Sequence, residues 1–335
     1  MSSRVKVFIQ YVVVITITVV LIWFSLRGLR VGEGGNKWDY LVQTWLAADK
    51  GWLFMMALIS IVSHYVRAVR WRMLLIPVGQ RTSLAYSFLS LMVGYLVNLV
   101  IPRGGEVSRC YNLYKLDKVP VEISFGTVVL ERIVDLFFLI ILIAFSFLVE
   151  SKRLIDFIKT LPINMGGSGF RNLIYVVASA IVVFLILYWL VKKNKKANDF
   201  LIKTWKGFKG GMLSVFKLEN KGLFIFYSAL IWMLYFFMSY AVIKAFPATS
   251  VLGFHAVISL FAIGSIAMAA PLPGGTGSYH VLVPQGLVFL YHINQTDAVA
   301  FTFIFHGWQT IILIVAGVIS LLITSLIVKK KSKVD

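Results

Sequence analysis

The chain has 335 residues, 59% of them hydrophobic, and its mean hydropathy of +0.85 lies far outside the range of an ordinary soluble domain. Cys110 is the only cysteine in the sequence, which excludes an internal disulfide framework and a cysteine-built metal site. The formal net charge of +19 does not indicate a nucleic-acid partner, because the lysines cluster at the ends of apolar segments, where anionic lipid headgroups attract them. Composition therefore predicts a polytopic membrane protein.

Six apolar segments are long enough to cross about 30 Å of hydrocarbon as helices. In chain order they cover residues 7–26, 52–76, 121–149, 172–191, 223–245 and 299–328. The first is interpreted as a span rather than a signal peptide, because its apolar run is long and no small-residue cleavage site follows it.

Two polar connections predict helices that lie on the membrane surface. Residues 38–48 carry apolar side chains at helical spacing. Residues 192–221 contain nine lysines with aromatic and aliphatic side chains between them, which is typical of a basic amphipathic helix on an anionic surface. This interval is the longest polar one, and it is too short for a separate soluble domain.

Two proline- and glycine-rich stretches, residues 98–106 and 270–280, interrupt apolar segments. They cannot continue a helix, and in hydrocarbon a broken backbone survives only when it is buried in protein or lines a wet cavity. Paired broken helices in corresponding parts of two halves point to the binding site of a transporter. The sequence therefore predicts helical hairpins over residues 84–118 and 251–291.

The distribution of basic residues predicts that both termini and the nine-lysine segment face the cytoplasm. Counting spans then makes hairpin 84–118 enter and leave on the cytoplasmic side, and hairpin 251–291 on the outside. The prediction is an all-α integral membrane protein, with about six full spans and two re-entrant hairpins in an inverted-repeat arrangement. It forms one domain over residues 1–335, with halves at about 1–149 and 172–328.

Ionisable residues inside apolar segments are costly and indicate function by default. Glu131 and Asp135 are four residues apart and share a helix face, and Arg132 lies about 100° around the helix from Glu131. These carboxylates are interpreted either as internal salt bridges or as part of a functional site. A guanidinium at a glycine-rich break suits bidentate phosphate recognition, so Arg103 and Arg132 are assigned functional roles. Arg132 is expected to contact Glu106 or Asp135.

The glycine pairs Gly104-Gly105 and Gly274-Gly275 allow two interpretations. They can offer backbone N–H groups to an anion at a helix N-terminus, or they can serve close helix packing. The two breaks are expected to lie near one another close to the bilayer midplane. Glu106, Asp135, His280 and His306 are candidate proton carriers, and of these only the histidines titrate near neutral pH without a shift.

The candidate substrate-binding residues come from both breaks and from the charged helix between them. They are Asn98, Pro102, Arg103, Gly104, Gly105, Glu106, Arg109, Arg132, Asp135, Pro273, Gly274, Gly275, Gly277, His280 and His306. A second set is expected to be structural or interfacial, with its arginines and tryptophan as membrane-surface anchors rather than ligands. It contains Arg67, Arg70, Trp71, Arg72 and Glu131. No zincin, Walker or G-x-S-x-G motif is present, so no catalytic residue, metal or cofactor is expected, and the chain is not expected to be an enzyme.

Four motifs in order carry a resemblance to a known family. They are Y-V-R-A-V-R-W-R at residues 65–72, N-x3-P-x2-G-E-x2-R at 98–109, L-E-R-x2-D at 130–135 and P-x-P-G-G-x-G at 271–277. Together they resemble the lysylphosphatidylglycerol synthase transmembrane region, the flippase-like domain at the N-terminus of the multiple peptide resistance factor. The resemblance covers essentially the whole chain, and it implies movement of a lipid between leaflets of the cytoplasmic membrane.

The resemblance also has limits. Larger family members carry a soluble aminoacyl-transferase domain, which this sequence lacks up to Asp335, so lipid aminoacylation is not expected of it. Relatives often carry a glutamate after the second glycine-rich motif and an arginine in the last span, whereas this sequence has His280 and His306 at those places. Because of these differences, the polar contacts of the second half are not expected to match those of the relatives.

The sequence therefore predicts a transporter of an anionic or glycosylated lipid, with membrane lipids as partners and with a homo-oligomer or a biosynthetic partner enzyme left open. The alternatives are a non-transporting scaffold or accessory subunit of lipid or glycan assembly, and a membrane-embedded lipid-modifying transferase. A groove open to lipid between the hairpins would favour transport, and a filled, dry interface would favour the scaffold. Acidic residues converging on a metal would favour the enzyme.

Overall fold

The computed structural model describes residues 16, 18–29, 36–160, 195–270 and 272–332, and their regular elements are all helices. The α-helices are α1 (Thr18–Arg27), α2 (Lys37–Ala47), α3 (Lys50–Leu75), α4 (Leu84–Asn98), α5 (Gly104–Asp117), α6 (Val121–Thr160), α7 (Lys195–Met212), α8 (Lys221–Ala245), α9 (Pro247–Ser250), α10 (Phe254–Ala269), α11 (Ser278–Tyr291) and α12 (Gln295–Lys331). Short 3₁₀ helices cover Ile76–Val78, Ser214–Lys217 and Pro273–Gly275. The predicted all-α class is confirmed.

Within the part of the chain that the structure describes, four helices are long and apolar enough to cross a membrane. They run over Lys50–Val78, Val121–Lys159, Lys221–Ala245 and Gln295–Lys331. They correspond to four of the predicted spans, which supports the polytopic membrane architecture. Predicted span 172–191 lies outside the described residues and span 7–26 lies partly outside them, so the count of six stays a prediction.

Helices α4 and α5 form a hairpin around the first break. The Ser83 side chain accepts the N–H of Tyr86 and so caps the start of α4. After α4 the chain turns through Arg103, whose φ of 61° lies in the left-handed region. A Cβ on Gly105 would clash with the carbonyl oxygen of Gly94, so these two glycines let the legs of the hairpin approach closely. We call this pair of helices the first hairpin.

Helices α10 and α11 form the second hairpin around the second break. Gly274, Gly275 and Gly277 have φ values of 56°, 72° and 103°, a region that residues with a Cβ rarely adopt. The Ser278 hydroxyl donates to the carbonyl of Ala267 at 2.7 Å and ties the start of α11 back to α10. This break is therefore specified by its glycines. Pro271, part of the same motif, lies outside the described residues.

Each of the two hairpins contacts several of the long helices. The first hairpin lies against α3, α6 and α12, while the second lies against α6 and α12, and α10 also contacts α8. Helix α3 runs along α8, and the largest hydrophobic core fills the space between these two helices and the second hairpin. Helix α7, within the predicted basic segment, packs on α6, where Gly126 and Gly211 allow close backbone approach.

Candidate functional site

A cluster of charged side chains forms where α3, α5 and α6 meet. Within each helix most of these charged residues are spaced three or four apart and so share a face, whereas Arg132 directly follows Glu131 and lies to one side of it. The members are Arg67 and Arg70 from α3, Glu106 and Arg109 from α5, and Glu131, Arg132 and Asp135 from α6. We call these seven residues the charged cluster. Its four guanidinium groups face three carboxylates, so it carries a formal surplus of one positive charge.

Glu131 and Asp135 are each held by more than one arginine. Arg70 donates to Asp135 at 2.8 Å and lies 3.4 Å from Glu131, so its guanidinium bridges the two carboxylates. Arg67 contacts Asp135 at 3.2 Å, and Arg109 pairs with the second oxygen of Glu131. Pairing of this kind offsets the cost of burying charge in a low-dielectric interior. The sharing of both carboxylates ties α3 and α5 to α6.

Arg132 occupies the edge of the cluster and not its interior. Its guanidinium lies 3.3 Å from Glu106 and 3.8 Å from Asp135, so the expected contacts are confirmed. Its side chain is 37% exposed, whereas the side chain of Glu106 is 13% exposed. Among the described residues, neither Arg132 Nε nor Glu106 Oε2 has a hydrogen-bond partner. This pair therefore keeps free hydrogen-bonding capacity at the rim of the cluster.

The expectation that Arg67, Arg70 and Trp71 are interfacial anchors is wrong. Arg70 and Trp71 are 0% exposed and Arg67 is 5% exposed, because α3 is covered here by α6 and α8. Trp71 donates its Nε1 to the hydroxyl of Thr127 at 2.9 Å. Arg72 differs, since it is exposed and donates to a backbone carbonyl at 2.9 Å. Three of these four residues therefore stabilise the interior.

The two glycine-rich breaks contact one another, as expected from the sequence. Arg103, at the first break, donates to the carbonyl of Ala269 at 2.7 Å, next to the second break. A Cβ built on Gly274 would lie 3.0 Å from the side chain of Leu99. Two segments about 170 residues apart in the chain are thus brought into direct contact.

The backbone donors of the first break are not free for an anion. The N–H of Gly105 donates to the Asn98 side chain at 2.7 Å, and the N–H of Gly104 donates to the carbonyl of Ile101 at 2.9 Å. The packing interpretation of these glycines is the one that the structure supports. Asn98, a candidate ligand, caps α5 instead, because the proline-interrupted turn leaves helix N–H groups that need an acceptor. Pro102 lies in that turn.

A cavity of about 540 Å³ lies between the two breaks. One wall is polar and carries Arg67, Arg103, Glu106, Arg132 and Asp135. The opposite wall is largely apolar and aromatic, and it comes from α8, the second hairpin and α12. No ion pair involves Arg103 within the described residues, so it adds a second positive charge to this space. The arginines and carboxylates that line the cavity therefore lie on one side of it, while the opposite wall adds side chains such as Gln309 and Thr310 to its apolar surface.

His280 and His306 lie together at the second break. Their ring centroids are 4.8 Å apart. His306 Nε2 lies 3.0 Å from the carbonyl oxygen of Gly274, which requires a proton on that nitrogen, while His280 Nδ1 accepts the N–H of Gly277 at 3.3 Å. Both rings therefore hold the tip of the second hairpin, and His306 also lines the cavity. Gly275 and Pro273 form the 3₁₀ turn beside them.

Sequence reasoning missed several residues of this region. The Tyr235 hydroxyl accepts a hydrogen bond from Arg67 at 2.8 Å, and the Tyr95 hydroxyl is buried beside it at the cavity wall. Glu150 breaks the geometry of α6 and accepts hydrogen bonds from Tyr291 at 2.5 Å and Ser259 at 2.6 Å. Two sequence signals could have identified these residues: Tyr235 and Tyr95 are tyrosines within apolar helices, and Glu150 is a glutamate at the end of a predicted span.

These features define the class of protein: an integral membrane protein with a cationic cavity between two broken helical hairpins. The chain belongs to the family described as the lysylphosphatidylglycerol synthase TM region, whose model matches residues 8–317. The resemblance seen in the four sequence motifs is thereby confirmed.

Two curated relatives are similar to the chain. The UPF0104 membrane protein MJ1595 of Methanocaldococcus jannaschii is 26% identical over 177 residues, which cover 50% of this chain and 46% of the relative. The glycosyltransferase AglD of Haloferax volcanii is 23% identical over 309 residues, which cover 82% of this chain and 49% of the relative. The chain thus matches about half the length of each relative. No solved structure matches it significantly.

Proposed function

We propose that the chain moves a lipid with an anionic headgroup, including phosphate-linked sugar lipids, between the leaflets of the cytoplasmic membrane. The observation that carries this proposal is the cavity between the two breaks with its surplus of arginines. A transporter needs such a space, whereas a scaffold would be served by a filled interface. The family membership supports a role in lipid handling.

The chemistry of headgroup transfer explains why arginines are needed. A charged phosphate cannot cross about 30 Å of hydrocarbon unaided, because removing its hydration is too costly. Arg132 and Arg103 offer planar sets of N–H donors that replace part of that hydration. Glu106 and Asp135 hold Arg132 in place while its Nε stays without a partner among the described residues. The headgroup would displace Glu106 from Arg132 as it binds.

The proposed transport also requires the site to open to each side of the membrane, and the contact between the hairpins is where it would open. In alternating access, one half rocks against the other and exposes the same site to each side in turn. The hydrogen bond from Arg103 to the Ala269 carbonyl joins the two breaks, so it would open when the halves separate. His280 and His306 are candidate proton carriers at the moving tip, since their hydrogen bonds fix its present conformation.

A translocation assay tests the proposal. Proteoliposomes containing phosphatidylglycerol are treated with periodate, which oxidises only the headgroups of the outer leaflet, and the loss of inner-leaflet lipid is followed. Wild-type protein should deplete the inner leaflet. Arg132→Lys keeps the charge and the ion pairs but loses bidentate recognition, so it should fold and translocate at least tenfold more slowly.

The matched control is Arg153→Lys, because Arg153, like Arg132, pairs with a carboxylate three residues away on α6 but lies outside the cavity. It should translocate at the wild-type rate. If the wild-type protein leaves inner-leaflet phosphatidylglycerol untouched, the transport proposal is wrong. If Arg132→Lys translocates normally, the role of Arg132 in headgroup recognition is wrong.

A second candidate is a membrane unit that serves glycan assembly without transporting lipid. The similarity to a protein named as a glycosyltransferase, over 82% of this chain, favours it. No specific observation favours the third alternative, a lipid-modifying transferase activity in this chain itself. Within the described residues, no group of three or more His, Cys, Asp or Glu is placed to hold a metal ion.

A further inference from the structure

A second cavity, of about 280 Å³, opens beside the polar one between α6, α8 and α10. The described residues of its wall are all aliphatic or aromatic, and none of them has an ionisable side chain. Residues 138, 141, 142 and 145 of α6 line it because they fall on one face of the helix, at spacings of three and four. We call this space the tail groove and define it by Phe138, Leu142, Phe145, Trp232, Phe236 and Phe261.

The tail groove adjoins the polar cavity. Trp232 and Phe261 line both spaces, so these two side chains form the boundary between them. The ring of Trp232 stacks on Phe138 with the centroids 6.3 Å apart, which fixes the ring at the boundary. Its Nε1 is buried and has no hydrogen-bond partner among the residues that the structure describes. At the boundary between the two spaces, Trp232 therefore offers an N–H donor without a partner among the described residues. The cavity with the charged side chains lies on one side of this ring, and the apolar groove lies on the other.

The groove also opens outward. Phe145 and Phe254 are 49% and 56% exposed, and Ile141 is 47% exposed. These side chains belong to helices that carry long apolar surfaces, so the surrounding medium at the mouth is lipid. The tail groove thus lies between lipid at its mouth and the cavity that carries the arginines.

We propose that a hydrocarbon chain of the transported lipid lies in the tail groove while its anionic headgroup lies in the cavity. An amphiphile fits these two adjoining spaces together, because a free phosphate would leave the groove empty and a pure hydrocarbon would leave the charged side chains of the cavity without a ligand. The inference rests on the proposed function and adds the route of the tail, between α6, α8 and α10. The tail therefore stays in contact with bilayer lipid as the headgroup crosses.

The test compares two probes on the full chain in detergent. One is dioleoylphosphatidylglycerol, and the other is glycerophosphoglycerol, which has the same phosphodiester headgroup without tails. Leu142→Trp fills the groove, and it should weaken binding of the lipid about tenfold, as overpacking of a site commonly does, without changing binding of glycerophosphoglycerol. Ile140→Trp is the matched control, since residue 140 points away from both spaces and is 57% exposed.

A second variant covers the case in which Leu142→Trp does not fold. Phe145→Ala widens the groove at an exposed position and should also weaken binding of the lipid selectively. Equal lipid affinity in the wild type and in the folded groove variants would overturn the tail groove. Loss of affinity for both probes alike would also overturn it. A wild-type protein that binds neither probe would instead overturn the proposed function, which is a separate result.

Discussion

The charged cluster makes a quantitative prediction about Glu131. This carboxylate accepts from Arg70 and Arg109, and the three side chains are 1%, 0% and 3% exposed, respectively. Glu131→Gln keeps the shape of the side chain but leaves four guanidinium groups facing two carboxylates. Removing one partner of a buried ion pair costs about 3–5 kcal/mol, because the remaining charge stays desolvated. The free energy of unfolding should therefore fall by about this amount.

An exposed pair in the same helix provides the control. Asp156 and Lys159 are 3.3 Å apart, with side chains 49% and 71% exposed. Asp156→Asn removes a charge in the same chemical way, but a surface pair contributes only about 0.2–1 kcal/mol. Both variants are unfolded with a denaturing detergent in mixed micelles, and their free energies of unfolding are compared with that of the wild type. A loss below about 1 kcal/mol for Glu131→Gln would refute the reasoning that buried pairing holds α3 and α5 to α6.

Two further predictions concern packing and orientation. Gly105→Ala should lower the unfolding temperature, because its Cβ would clash with the Gly94 carbonyl. Gly210→Ala should not, since no atom of the described residues lies within 4 Å of the added Cβ. Equal unfolding temperatures for the two variants would contradict the close approach of α4 and α5. Cysteines introduced at Asn36 and at Lys206, both exposed, should react differently with an impermeant thiol reagent on intact cells. Asn36→Cys should be labelled and Lys206→Cys should not, and the opposite result would overturn the predicted orientation.

The sequence predicted the helices and the breaks because both have strong local signals. Proline and glycine within an apolar run end a helix whatever surrounds it, and the structure places the turns at those residues. A contact of Arg132 with Glu106 or Asp135 was also predicted, from the cost of an unpaired charge in hydrocarbon, and the structure shows both. Local chemistry was sufficient for these features.

The sequence did not predict which arginines are buried or which donors are free. Arg67 and Arg70 end an apolar span beside a tryptophan, which is the same local pattern that interfacial anchors have. Their burial depends on α6 and α8 covering this face of α3, a tertiary fact without a local signal. The Gly105 N–H looked free because its acceptor, the Asn98 side chain, is seven residues away across the break. A capped turn and an anion site differ in their tertiary contacts, which the local sequence does not specify.

The contact between the two breaks offers the most direct test of the central claim, that one cavity between the hairpins carries the headgroup. Leu99→Cys and Gly274→Cys place thiols on the two breaks, since a Cβ on Gly274 lies 3.0 Å from the Leu99 side chain. A short bifunctional thiosulfonate reagent joins them, and phosphatidylglycerol translocation is measured before joining, after joining and after reduction, with each single cysteine as control. We predict that joining stops translocation in the double variant alone and that reduction restores it. Translocation at an unchanged rate with the two breaks joined would contradict the claim.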